Sequence, residues 1–81
     1  MEGWRQKNRP QCLEKRFEFE SYAKTRDFLD ALGDFCEKVN RFPDISFGKK
    51  YVNITLRPED SDSELTDSDL KFASEIDGLI N

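Results

Sequence analysis

The sequence predicts an α+β fold: a two-layer sandwich in which a four-stranded antiparallel sheet carries two helices on one face, in the order ββαββα. Three observations predict it. Two stretches, 13–20 and 51–57, alternate apolar and polar residues with the period of a half-buried strand. Two others repeat apolar residues at steps of three and four, the period of an amphipathic helix. The 81 residues are 36% hydrophobic and 37% charged, which suits one shallow core in which each element buries a single face.

The first strand is short and sits near Trp4, with Asn8, Arg9 and Pro10 supplying the turn that follows. Residues 1–12 thus form a basic N-terminal segment with room for one strand, and residues 13–81 form the α+β domain. In the second strand Leu13, Phe17 and Phe19 take one side, while Glu14, Arg16, Glu18 and Glu20 face water. Ser21 is the N-cap of a helix of about five turns. Its stripe runs through Tyr22, Arg26, Leu29, Leu32, Cys36 and Val39, flanked by Phe28 and Phe35. Gly33 costs that helix roughly 1 kcal/mol relative to alanine, which predicts a neighbouring backbone in close approach. Pro43 disfavours helical geometry at Phe42, so the helix stops near Asn40.

Ile45 and Phe47 form a third short strand, Gly48 with Lys49 and Lys50 a turn, and Tyr51 to Arg57 a fourth strand. Val52, Ile54 and Leu56 face the core there, and Tyr51, Asn53, Thr55 and Arg57 face out. Pro58 ends it, and the acidic, serine-rich run from Glu59 to Glu64 reads as a solubilising loop. Thr66 caps the second helix. Leu65 and Leu70 stand at hydrophobic-staple positions, Asp67 and Asp69 favour the helix N-terminus, and Leu70, Ala73, Ile76 and Ile80 form the stripe. A sheet of four short strands keeps two unpaired edges, so the sequence predicts a homodimer that joins them.

Composition excludes several function classes. The chain has no histidine, and so lacks the commonest neutral-pH acid or base and the commonest metal ligand. Two cysteines at unrelated spacing, Cys12 and Cys36, fit reduced packing residues and cannot build a zinc site alone. Neither a metal nor a small-molecule cofactor is expected, since Gly3, Gly33, Gly48 and Gly78 are too scattered for a nucleotide fingerprint. No run of 18 apolar residues exists and the first residues lack a signal peptide's apolar stretch, so no membrane association and a cytosolic or organelle-interior location are expected. Residues 1–16 carry a net +3 and the remainder −7. The acidic bulk opposes a polyanion, so nucleic-acid binding is not expected; the basic arm alone would favour it.

Specific residues then resemble a family. Phe17-Glu-Phe19, Phe28-Leu29, the run Glu37-Lys38-Val39-Asn40-Arg41-Phe42-Pro43-Asp44, the strand Tyr51–Leu56 and Leu65-Thr66-Asp67-Ser68-Asp69-Leu70 with Phe72-Ala73 are similar to pterin-4a-carbinolamine dehydratases. The resemblance covers roughly residues 13–80 and implies the same sandwich, with subunits joining sheets into a dimer. It also implies that two histidines should precede the proline and a third should follow the last strand, together moving protons as water leaves the pterin. Those vestigial positions hold Arg41, Phe42 and Glu59. Arginine cannot release a proton near pH 7 and phenylalanine has none to move, so no catalytic residues are assigned and the chain is expected not to be an enzyme.

Histidine-poor members from carboxysome-forming bacteria, which assist assembly of ribulose-bisphosphate carboxylase (RuBisCO), are similar through Arg9-Pro10, Thr25-Arg26-Asp27-Phe28-Leu29 and Pro43–Gly48 leading into Tyr51-Val52-Asn53. That resemblance implies an assembly factor, or chaperone, for the carboxylase large subunit, in the cytoplasm or carboxysome. The alternative it leaves is a 4a-hydroxytetrahydrobiopterin dehydratase rebuilt on Glu59 or Asp44. The candidate partner-binding residues are Tyr22, Arg26, Arg41, Phe42, Asp44, Tyr51, Asn53 and Arg57. Phe42 either reaches out to a partner or plugs the core beneath its turn. The outward residues of the last strand either meet a partner or form an ordinary solvated face.

Overall fold

The computed structural model describes residues 3–8, 11–58 and 65–80. Its elements are β1 (Arg5–Asn8), β2 (Gln11–Glu18), α1 (Tyr22–Val39), β3 (Asp44–Phe47), β4 (Tyr51–Leu56) and α2 (Asp67–Asp77). The strands form one antiparallel sheet in the order β1-β2-β4-β3. This is the expected four-stranded α+β architecture with two helices. The register sets Leu13 opposite Leu56, Lys15 opposite Ile54 and Phe17 opposite Val52, so all six project to the helix side. Leu13, Phe17, Val52, Ile54 and Leu56 meet Phe28, Leu32 and Cys36 of α1 and Phe72, Ala73 and Ile76 of α2 in one core.

Several boundaries move. β2 begins at Gln11 and ends at Glu18, two residues earlier at each end than the alternation suggests, because the ladder with β1 extends to the Asn8–Gln11 pair. Asn8 therefore belongs to β1 and not to the turn; Arg9 and Pro10 lie outside the described residues. Phe19 leaves the strand but its N–H still donates to the Lys50 carbonyl at 2.8 Å, and its ring packs against Phe28. Arg57 falls just past the end of β4. The acidic run 59–64, and Glu59 with it, also lies outside the described residues.

The helix stripes rotate relative to expectation. α1 buries Thr25, Phe28, Leu32 and Cys36, whereas Tyr22 and Val39 are exposed at its two ends. Thr25 enters the core side because its hydroxyl donates to the Ser21 carbonyl at 3.0 Å and the Lys49 carbonyl at 2.8 Å, which satisfies it without water. A polar residue thus tethers α1 to the β3–β4 turn. Ser21 caps α1 as expected, its Oγ accepting from the Lys24 N–H at 3.2 Å. The Gly33 expectation fails: a Cβ there would meet nothing within 4 Å, so no backbone approaches it. α2 buries Asp69, Phe72, Ala73 and Ile76, while Leu70 and Ile80 are exposed.

One arrangement has no counterpart in the alternation. Lys15 lies on the core side of β2, where its ammonium sits 4.8 Å from the Phe17 ring centroid and 2.7 Å from an Asp77 oxygen. The Trp4 indole N–H also points at Asp77, 3.1 Å from each oxygen. Trp4 precedes β1 and belongs to the core, so the start of the chain is fastened to the end of α2.

Candidate functional site

α1 stops by a backbone device. Asn40 takes the left-handed conformation (φ 57°, ψ 46°), its N–H reaching the Glu37 carbonyl and the Arg41 N–H reaching the Cys36 carbonyl at 3.1 Å. This pairing reverses the chain within two residues and closes the helix. Asparagine accepts that backbone more readily than most residues. Pro43 then fixes the entry into β3. Between these two constraints Arg41 turns inward and Phe42 outward.

The Arg41 guanidinium donates to Asp69 Oδ1 at 2.5 Å and to the Arg57 carbonyl at 2.9 Å, and it lies 4.8 Å from the Phe72 ring centroid. One side chain thereby ties the end of α1 to the end of β4 and the start of α2. Asp69 is 1% exposed. Its other oxygen accepts from the Thr66 backbone N–H at 2.8 Å and the Thr66 hydroxyl at 3.2 Å, which joins the α2 cap to the same cluster. Burial pushes the Asp69 carboxyl up, but the Thr66 N–H, Arg41 and the Thr66 hydroxyl together outweigh it and hold the group below the usual carboxylate range. Asp69 is thus an ionised acceptor.

These elements enclose an open cleft of about 700 Å³ between the α1–β3 turn, the end of β4 and one face of α2. Phe35 and Phe72 stack along it with centroids 5.3 Å apart, and Lys71 and Glu75 line the α2 side. At the rim Arg57 pairs with Asp44 at 3.0 Å, both exposed. Phe42 is 66% exposed, so its ring does not plug the core beneath the turn.

The predicted site residues fall into three groups. Arg41, Phe42, Asp44 and Arg57 come together at the cleft. Tyr51 and Asn53 lie on the face of the sheet away from the helices, Tyr51 beneath the Arg16 guanidinium at 4.2 Å and Asn53 beside Ser46 at 3.4 Å. Tyr22 and Arg26 adjoin each other at the opposite end of α1 from Arg41. An 18-residue helix spans about 27 Å, so one compact footprint on the cleft cannot include them. Sequence reasoning missed Asp69, Phe72 and Phe35 as site residues. The three-residue step from Thr66 to Asp69 was the available signal, since it marks a reciprocal cap, but nothing local says that the same carboxylate meets Arg41.

Chemically, the cluster is suited to holding shape. The Arg41 guanidinium is engaged with Asp69 and the Arg57 carbonyl, Phe42 has no proton to exchange, and Asp69 is committed to three donors. The nearby Cys36 thiol is buried, which raises its pKa and keeps it protonated. Among the described residues no group of three or more metal-ligating side chains occurs, and no helix is long and apolar enough to cross a membrane.

The family described as pterin 4 alpha carbinolamine dehydratase matches residues 1–79. A Rubrobacter xylanophilus protein with a provisional pterin-4-alpha-carbinolamine dehydratase name is 36% identical over 67 residues, 83% of this chain and 62% of that protein. A Prochlorococcus marinus protein with the same provisional name is 32% identical over 69 residues, 85% of this chain and 72% of its own. Among solved structures, a pterin dehydratase-like protein identified as a RuBisCO assembly factor in the alpha-carboxysome superposes with TM-score 0.86 at 41% identity, covering 98% of this chain and 94% of the other. A transcriptional coactivator/pterin dehydratase from Brucella melitensis superposes with TM-score 0.85 at 20% identity, covering 100% and 85%, and so shares the fold.

Proposed function

The chain belongs to the pterin 4 alpha carbinolamine dehydratase family, and from that premise we propose that it is a catalytically inactive member acting as an assembly factor, or chaperone, for RuBisCO. The observation that carries this reading is the content of the cleft. Where the family resemblance calls for proton-shuttling imidazoles, Arg41 is spent on Asp69, the Arg57 carbonyl and the Phe72 ring, and Phe42 faces solvent. A proton shuttle needs groups that titrate near neutral pH, and a guanidinium and a phenyl ring do not. The 41% identical RuBisCO assembly factor supports the choice of partner.

The partner in this reading is the carboxylase large subunit, met in the cytoplasm or the carboxysome. Binding shields transiently exposed surface on immature subunits until the final interface forms. The working unit is a homodimer joined along β3. That strand is an edge of the sheet whose four residues are all exposed, with Phe47 at 56% and Ile45 at 40%. The other edge, β1, presents Arg5 and Lys7, charges of the kind that discourage strand addition.

Co-expression of the carboxylase with and without this protein, scoring assembled holoenzyme, tests the proposal: a higher yield is expected and equal yields overturn it. A second reading, a dehydratase with a rebuilt site, is favoured by the names of the relatives and by Asp44 at the cleft rim. It requires turnover of a carbinolamine pterin that is lost in Glu59→Gln or Asp44→Asn.

A further inference from the structure

We infer that Phe42 is a preorganised anchor that inserts into an apolar pocket of the carboxylase large subunit, and that Arg41 is the positioning residue which holds it out. The inference rests on the assembly-factor reading and narrows it to one side chain. Free aromatic rings are usually covered, because 66% exposure of a phenyl group forfeits most of its burial energy. Here the exposure is built in. The left-handed Asn40 ends α1, the Arg41 guanidinium is fastened to Asp69 and to the Arg57 carbonyl, and Pro43 limits the backbone on the other side. The turn is therefore immobilised on both flanks of the ring before any partner arrives.

Immobilisation matters because association loses affinity to ordering of loops and side chains, and a turn whose backbone is already fixed avoids part of that loss. Hot spots are aromatic anchors set among polar groups that exclude water, and the Arg57–Asp44 ion pair at the cleft rim supplies such a border next to Phe42. A pocket that accepts a phenyl ring, with polar groups at its mouth to meet that ion pair, is the complementary chemistry.

The test measures binding of the full chain to purified large subunit by titration calorimetry, with wild type, Phe42→Ala, Arg41→Lys and the double variant. Circular dichroism and sedimentation report fold and oligomeric state in each. The expected result is a loss of affinity of about 30-fold for Phe42→Ala, with fold and oligomeric state unchanged. Arg41→Lys keeps the charge but not the forked geometry, so a smaller loss is expected, and it should vanish in the Phe42→Ala background. Non-additivity separates positioning from a merely structural role, which would give additive losses. Wild-type affinity in Phe42→Ala overturns this inference while leaving the assembly reading intact. Dissociation of a dimer by Phe42→Ala overturns it by placing the ring in a contact between copies of the chain. Absence of binding by wild type overturns both.

Discussion

Arg41 and Asp69 meet at 2.5 Å beside the cleft, joining the end of α1 to the first turn of α2 with side chains 16% and 1% exposed. The carboxylate also accepts two hydrogen bonds from Thr66, so one ion pair couples helix capping to the shape of the cleft.

Removing the cation leaves a buried carboxylate without its counter-charge. Arg41→Met is expected to lower stability by about 2 to 3 kcal/mol, the partial exposure of the guanidinium keeping it at or below the bottom of the range for broken buried pairs. In a domain of this size that corresponds to a melting temperature lower by roughly 10 to 20 °C, measurable by differential scanning calorimetry. A shift under 3 °C would mean that the pair contributes little.

The same carboxylate predicts an acid limb. Its folded-state pKa lies below the ordinary aspartate value of about 4, so its contribution is fully present above that pH and is lost as pH falls through the folded-state value. Asp69→Asn should be less stable than wild type at pH 7, and the gap should narrow as urea-unfolding midpoints are followed below pH 4. A gap that stays constant from pH 7 to pH 2 would contradict the assignment.

Gly33 lies within α1 on its exposed side, with open space where a Cβ would go. Gly33→Ala should therefore stabilise the fold by about 0.5 to 1 kcal/mol through lower entropy of the unfolded chain and better helix propensity. Chemical denaturation would read this as a higher midpoint with an unchanged slope.

Trp4 is the single tryptophan of the chain, and its indole bonds to the last residue of α2. Trp4→Phe keeps an aromatic group against Phe17 but removes the donor, and should cost about 1 kcal/mol. In wild type, loss of the native Trp4 fluorescence should coincide with loss of helical circular dichroism. An earlier fluorescence transition would show β1 detaching on its own.

Much of the fold was legible along the chain because period and punctuation are local properties. Val52, Ile54 and Leu56 alternate to a depth of burial at or near zero, as their spacing requires. Ser21 and Thr66 mark both helix starts, and α1 ends at its C-cap Asn40, where Pro43 requires it to stop. Where the reading failed, the deciding contact was distant. Tyr22 and Val39 fit the stripe by spacing, yet they sit at the helix ends where the sheet no longer covers them, and Thr25 replaces them through a bond to a carbonyl twenty-four residues away. Leu70 yields its inward place to Phe72, whose ring stacks on Phe35 and carries Arg41.

The sequence alone determined the architecture and removed imidazole chemistry, since alternation, capping and composition act through neighbours in the chain or through residues that are simply not there. Only the tertiary structure decided that Arg41 is an internal fastening, that Phe42 stands out in solvent, and that Tyr22 with Arg26 belongs to a different end of the molecule. Those outcomes depend on which side chains a folded core brings within hydrogen-bond range, and Asp69, twenty-eight residues from Arg41, becomes its neighbour only when α2 packs across the sheet.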